Sequence, residues 1–173
     1  SSANIGGPYT NLGSSLISPS LNTPATTTSY YRCEVTCSGN SQFSTPVLVN
    51  VNPPFPAGTY TINSLLATGG SNFQTFNDAI AALNCGIAGP IIFNVDAASG
   101  PYTEQVSIPA VTGTSAVNTI TINGNGRTLQ FTPVTANRHV LKFNGGDYIT
   151  VNNLNITGLA TDFDWGIHLT NAS

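Results

Sequence analysis

The 173-residue chain carries 7 acidic and 4 basic side chains for a net charge of -3, and only 6% of its residues are charged, against ~25% in an average globular domain. This balance excludes a basic surface for nucleic acid and gives no polybasic attraction to an anionic membrane. Ser, Thr and Asn make up 59 residues, yet 40% of the chain is hydrophobic, which is enough for a core and unlike a disordered composition.

No run of 18 apolar residues is present, so no membrane-inserted helix is expected. The chain does not open on a charged segment followed by an apolar one, so no signal peptide is expected. The two ends, Ser1-Ser2-Ala3-Asn4-Ile5-Gly6-Gly7 and Thr170-Asn171-Ala172-Ser173, read as cuts through a longer protein. Cys33, Cys37 and Cys85 are odd in number and do not close into a disulfide set. Four residues along one strand separate Cys33 and Cys37 by roughly 13 Å, too far to pair with each other. One of them is expected to pair with a strand upstream of residue 1, a pattern compatible with an oxidising compartment.

In chain order, residues 1–53 read as short strands between Ser, Thr, Pro and Gly turns. Tyr30-Tyr31-Arg32-Cys33-Glu34-Val35-Thr36-Cys37 alternates with a period of two, and Thr45–Val51 follows a Gly39-Asn40 turn, which predicts a hairpin. Pro53-Pro54-Phe55-Pro56 is a stiff boundary, with residues 54–57 as the linker. Residues 58–66 predict a short strand and turn. A 13-residue helix follows, with Ser71 and Gln74 as a capping box and Phe73, Phe76, Ile80 and Leu83 on one side. Burying those four side chains is worth ~6–12 kcal/mol gross.

From residue 91 onward the chain repeats. Ile92–Asp96, Thr119–Asn123 and Tyr148–Asn152 superpose, with Phe93, Ile120 and Ile149 inward at offsets of 27 and 29. Asn94, Thr121 and Thr150 take the outward position, and Asp96, Asn123 and Asn152 close the strands. Further strands are predicted at Tyr102–Ile108, Thr128–Phe131, His139–Phe143, Leu154–Thr157 and Trp165–Thr170. A period near 28 with several strands per repeat is the pattern of a solenoid, in which stacked coils share one interior. Asn at a strand end can bond to equivalents above and below it as a ladder.

Two resemblances follow from these residues. Tyr31-x-Cys33 within Ser29–Cys37 resembles the tyrosine corner and strand F cysteine of an immunoglobulin-like sandwich, as repeated in secreted proteins of the Bacteroidetes. It implies that residues 1–53 are the C-terminal half of such a module. The stretch from Gly89 through Gly100-Pro101-Tyr102-Thr103-Glu104-Gln105-Val106 to Ile122 resembles the opening of a right-handed parallel β-helix of the pectin-lyase-like group. That resemblance covers residues 58–173 and implies an N-terminal capping α-helix followed by the first coils. The expected fold is therefore all-β: a partial sandwich, a linker and a β-helix.

Asp162-Phe163-Asp164-Trp165 with His168 is the candidate ligand-binding cluster. Two carboxylates beside an indole could hold Ca²⁺ or a sugar, and the same spacing fits an ordinary polar loop. Arg127, Arg138, His139, Lys142 and Asp147 group on the second coil and its edge. The β-helix resemblance brings in a polysaccharide lyase, which uses an Arg or Lys base and a Ca²⁺, but no cluster of three or four acids accompanies these bases. Glu104 is expected as a solvated strand residue. No catalytic or resident metal residues are assigned, and no cofactor beyond Ca²⁺ is considered. The expected role is a non-catalytic extracellular scaffold or adhesin-like part of a large surface or fibre protein. Its expected partners are other copies or domains of that protein, and glycans. The alternatives are a lyase or glycosidase and a carbohydrate-binding module. The resemblance implies export by the type IX route.

Overall fold

The computed structural model describes residues 1–13, 20, 22–160 and 164–171. The chain divides into two compact units, Ser1–Pro53 and Pro54–Ser173.

The first unit contains β1 (Ser29–Tyr31), β2 (Glu34–Cys37), β3 (Asn40–Phe43) and β4 (Val47–Val49). The predicted continuous strand breaks after Tyr31. Cys33 there exchanges bonds with Ser44, whose Oγ accepts from the Cys33 amide at 2.9 Å and whose amide donates to the Cys33 carbonyl. As a result β1 pairs antiparallel with β4, while β2 pairs antiparallel with β3. The hairpin turn is Ser38-Gly39, one residue earlier than expected. Both residues have positive φ, 49° and 82°, the combination that a two-residue hairpin loop requires. The Arg32 guanidinium lies between the Tyr9 and Phe43 rings, 4.0 and 3.9 Å from their centroids. Strands β2, β3 and β4 are exposed along their whole length. Among the described residues no second layer covers them as a sandwich would. All three cysteines are exposed free thiols.

The second unit is a parallel β-solenoid of about four turns. It starts with β5 (Gly58–Ile62) and β6 (Asn72–Phe73), followed by α1 (Phe76–Ala81). Three coils of three strands then follow: β7 (Ile91–Val95), β8 (Tyr102–Thr103) and β9 (Val106–Pro109); β10 (Ile120–Asn123), β11 (Thr128–Phe131) and β12 (His139–Asn144); β13 (Ile149–Asn152), β14 (Asn155–Gly158) and β15 (Trp165–Thr170). Like strands stack into three parallel sheets, ordered β13-β10-β7-β5-β6, β14-β11-β8 and β15-β12-β9. The predicted strand Tyr102–Ile108 is split, because the chain turns a corner at Glu104-Gln105 and its two halves join different sheets.

The rows of the first sheet correct the expected register. Ile91, Ile120 and Ile149 stack, as do Phe93, Ile122 and Val151. The spacing is thus 29 residues at both steps, and Phe93 lies over Ile122 rather than Ile120. A two-residue slip preserves which side chains face inward, so alternation alone does not choose between the two registers. The strand-closing residue does. Asn94, not Asp96, aligns with Asn123 and Asn152. Asn123 Nδ2 donates to Asn94 Oδ1 at 2.8 Å, and Asn152 Nδ2 donates to Asn123 Oδ1 at 3.1 Å. Asp96 instead turns the chain, with its Oδ1 accepting from the Ala98 amide at 2.8 Å.

The interior is one continuous apolar column. Ile62, Ile91, Phe93, Val95, Val106, Ile108, Ile120, Ile122, Leu129 and Leu141 are all buried. Tyr102 is buried too, and its hydroxyl donates to the Ile62 carbonyl at 3.0 Å, which meets the requirement of a buried phenol. In the last coil Ile149, Val151 and Ile156 are half-buried. Gly124 shows how tightly the coils approach: a Cβ there would come within 2.6 Å of the Asn153 carbonyl oxygen and of Leu154.

The helix starts later than expected and is shorter. Its N-cap is Thr75, whose Oγ1 accepts from the Asp78 amide at 3.0 Å, and a 3₁₀ turn, Ala82–Cys85, continues it. Ser71 is not the cap because Asn72 and Phe73 are drawn into pairing with β5. The sequence offers a second capping pattern four residues on, Thr75-Phe76-Asn77-Asp78.

Glu104 is not merely solvated. Its carboxylate accepts from the Phe76 amide at 2.9 Å, the Asn77 amide at 2.9 Å and Asn77 Nδ2 at 2.8 Å. The first coil thus supplies the negative charge that the first turn of α1 favours. Phe76 also packs edge-on against Tyr102, with 5.0 Å between ring centroids.

Candidate functional site

Strands β12 and β15 run side by side in parallel, placing Trp165 next to His139 and His168 next to Lys142. The Trp165 and His168 rings meet edge to face at 4.6 Å. His139 lies 6.3 Å from His168, and the Arg138 guanidinium is 5.9 Å from the indole centroid. Trp165 is 46% exposed, so its indole is open to a partner. The Arg138 carbonyl accepts from the Trp165 amide at 2.8 Å, and Arg138 Nε donates to the Thr135 carbonyl at 3.1 Å.

His139 is buried. Its pKa is lowered from the ordinary histidine value, first by burial and then by the nearby charges of Lys142 and His168. It therefore sits in this cluster as a neutral ring near neutral pH.

The structure brings Trp165 and His168 together but assigns Asp164 elsewhere. Asp164 Oδ2 accepts from the Ala160 amide at 2.9 Å. Its carboxylate lies so close to Gly158 that any β-carbon there would overlap it. Asp162 falls outside the described residues. Among the described residues no three His, Cys, Asp or Glu side chains converge as metal ligands. The described part of the cluster is an aromatic and cationic surface suited to stacking and hydrogen bonding.

A second feature was not singled out from sequence. On the outside of the turn leading into β11, a concavity of about 390 Å³ is lined by Ser99, Gly100, Pro101, Gly126, Arg127, Thr128 and Gln130. Arg127 was named in the sequence only as a member of a basic group. The lining joins residues 27 positions apart, so it exists only once the coils stack.

Comparison with family models, curated proteins and solved structures finds no match to this chain. Its class is accordingly defined by its own architecture: a parallel β-solenoid.

Proposed function

We propose that this chain is a non-catalytic structural scaffold, an extracellular part of a larger surface or fibre-forming protein. The observation that carries this reading is the ladder-locked stack of coils. Equivalent side chains repeat over one another on the first sheet, and Asn94, Asn123 and Asn152 bond in series along its edge. Each coil rests on its neighbours, so stiffness is built along the axis. On this reading α1, anchored by Glu104, caps the first coil. The outer columns are mostly uncharged, with Thr121 beside Thr150 and Gln130 between Thr103 and Thr157. The hairpin of residues 29–51 belongs to an immunoglobulin-like module in the parent protein, and the solenoid to a right-handed β-helix of the pectin-lyase-like kind found in secreted Bacteroidetes proteins.

The test is incubation of the full chain with polygalacturonate and related glycans, with and without Ca²⁺. The scaffold reading expects no new unsaturated product. Product that forms and is lost in Arg138→Gln or Lys142→Gln contradicts it. The half-exposed Trp165 favours glycan contact as a second reading. Glycan-array binding lost in Trp165→Ala supports that contact, and binding unchanged in the variant refutes it.

A further inference from the structure

Arg127 occupies a place where a cation is under-used. Its backbone is pinned on both sides, the amide donating to the Gly124 carbonyl at 2.8 Å and the carbonyl accepting from the Asn155 amide at 2.9 Å. Its Nε is buried with no hydrogen-bond partner, and among the described residues no carboxylate pairs with its guanidinium. Such a group is favoured by an oxyanion that accepts from its planar fork.

The surroundings add the rest of a recognition set. The Thr128 hydroxyl makes no bond within the described residues. Gln130 spends one N–H on Thr103 Oγ1, at 3.2 Å, and keeps its carbonyl oxygen. Pro101 contributes apolar ring surface to the lining, and the space above Gly126 is open. Beneath them Ser99 is buried, its hydroxyl bonded to the Asp96 carbonyl and the Tyr102 hydroxyl. The floor is therefore fixed and the rim groups are available. The volume is at the small end for ligand pockets.

We propose that this concavity binds one sugar unit bearing an oxyanion, a carboxylate or a sulfate ester, with Arg127 as its anchor. Thr128 and Gln130 bond ring hydroxyls, and Pro101 packs against the ring. Hydroxyl and amide groups on one rim suit a sugar, whose hydroxyls both donate and accept. The proposal does not depend on the scaffold reading or on the Trp165 cluster.

The experiment titrates the ¹⁵N-labelled full chain with glucuronate, glucose 6-sulfate, glucose, and inorganic sulfate, following the Arg127 Nε and Gln130 side-chain signals. Saturable shifts with glucuronate or glucose 6-sulfate, and affinities at least about tenfold weaker for glucose and for inorganic sulfate, support the site; the better of the two anionic sugars identifies the oxyanion. Arg127→Gln is expected to weaken that binding about tenfold or more, and Thr128→Val severalfold. Arg127→Lys keeps the charge without the fork and is expected to fall between. Unchanged thermal melting shows that the variants fold. No binding of either anionic sugar, equal binding of glucose or free sulfate, or unchanged affinity in folded Arg127→Gln would each overturn the proposal.

Discussion

Replacing Glu104 with Ala tests how the helix is held to the first coil. Three hydrogen bonds to a charged acceptor disappear, two of them from backbone amides in the first turn of α1. A bond to a charged group is worth roughly 1.5–3 kcal/mol when the donor cannot reach water. Only the Phe76 amide sits in such a place, since Phe76 is buried while Asn77 is exposed. Counting that bond near full value and discounting the other two for rehydration gives about 2–3 kcal/mol. For a chain of this size that lowers Tm by about 5–10 °C. Glu104→Gln keeps one carbonyl acceptor but loses the charge, so about 1 kcal/mol is expected. Thermal melting by circular dichroism measures the loss, and hydrogen exchange at the Phe76 and Asn77 amides locates it. Glu34→Ala, on exposed β2, is the control and should stay within about 0.5 kcal/mol. A Glu104→Ala chain that melts like the parent with unchanged exchange at Phe76 would refute the anchoring role.

Three further perturbations probe the coils. Asn123→Ala removes the middle of the ladder and should cost about 1–2 kcal/mol by denaturant unfolding, whereas Asn152→Ala, which loses one exposed bond, should cost about 0.5 kcal/mol or less; equal costs would argue against a ladder. Gly124→Ala drives a methyl into the next coil and should destabilise by about 1–3 kcal/mol; a neutral result would mean that the coils are further apart. His139 has a lowered pKa in the folded state, so unfolding takes up a proton as the pH falls below the ordinary value of 6.5. Its contribution is full above that value and is lost as pH falls toward the folded-state pKa. The decline in Tm from about pH 7.5 to pH 5 should therefore be shallower in His139→Gln, and an unchanged slope would assign the pH dependence to other groups.

The all-β solenoid was legible because its signal is repetition. Inward apolar residues recur once per coil, and Gly or Asn turns separate them. What the sequence left ambiguous was register. Asn94 and Asp96 are two residues apart, face the same way and can both end a strand. The choice between them is made by amide-to-amide bonding across coils, which one strand does not reveal. The helix start was misplaced for a similar reason. Ser71-x-x-Gln74 and Thr75-x-x-Asp78 are both capping patterns, and the pairing of Phe73 with Ile62 decides in favour of the second. Glu104 looked like a solvated strand residue because its partners, Phe76 and Asn77, precede it by a full coil. At the candidate site, spacing does not show that the Trp165 and His168 rings meet, because residues three apart on a strand start from opposite faces. The commitment of Asp164 to the Ala160 amide was not legible either, since the type of a carboxylate side chain does not name the donor it accepts from. The Arg127 concavity gives no local signal at all, because its walls come from two coils.

The register of β7 against β10 is the most direct test of the stacked coils. With Cys33, Cys37 and Cys85 replaced by Ser, paired cysteines are introduced on the outer face and oxidised. Ile92 and Thr121 are direct neighbours, with Cα atoms about 4.8 Å apart, inside the range that a disulfide spans. Asn94 and Thr121 are displaced by two residues, roughly 8 Å apart, outside that range. The 29-residue stack predicts rapid, near-complete cross-linking of the Ile92→Cys/Thr121→Cys chain and little in Asn94→Cys/Thr121→Cys. Preferential cross-linking of the second pair, or of neither, would contradict it.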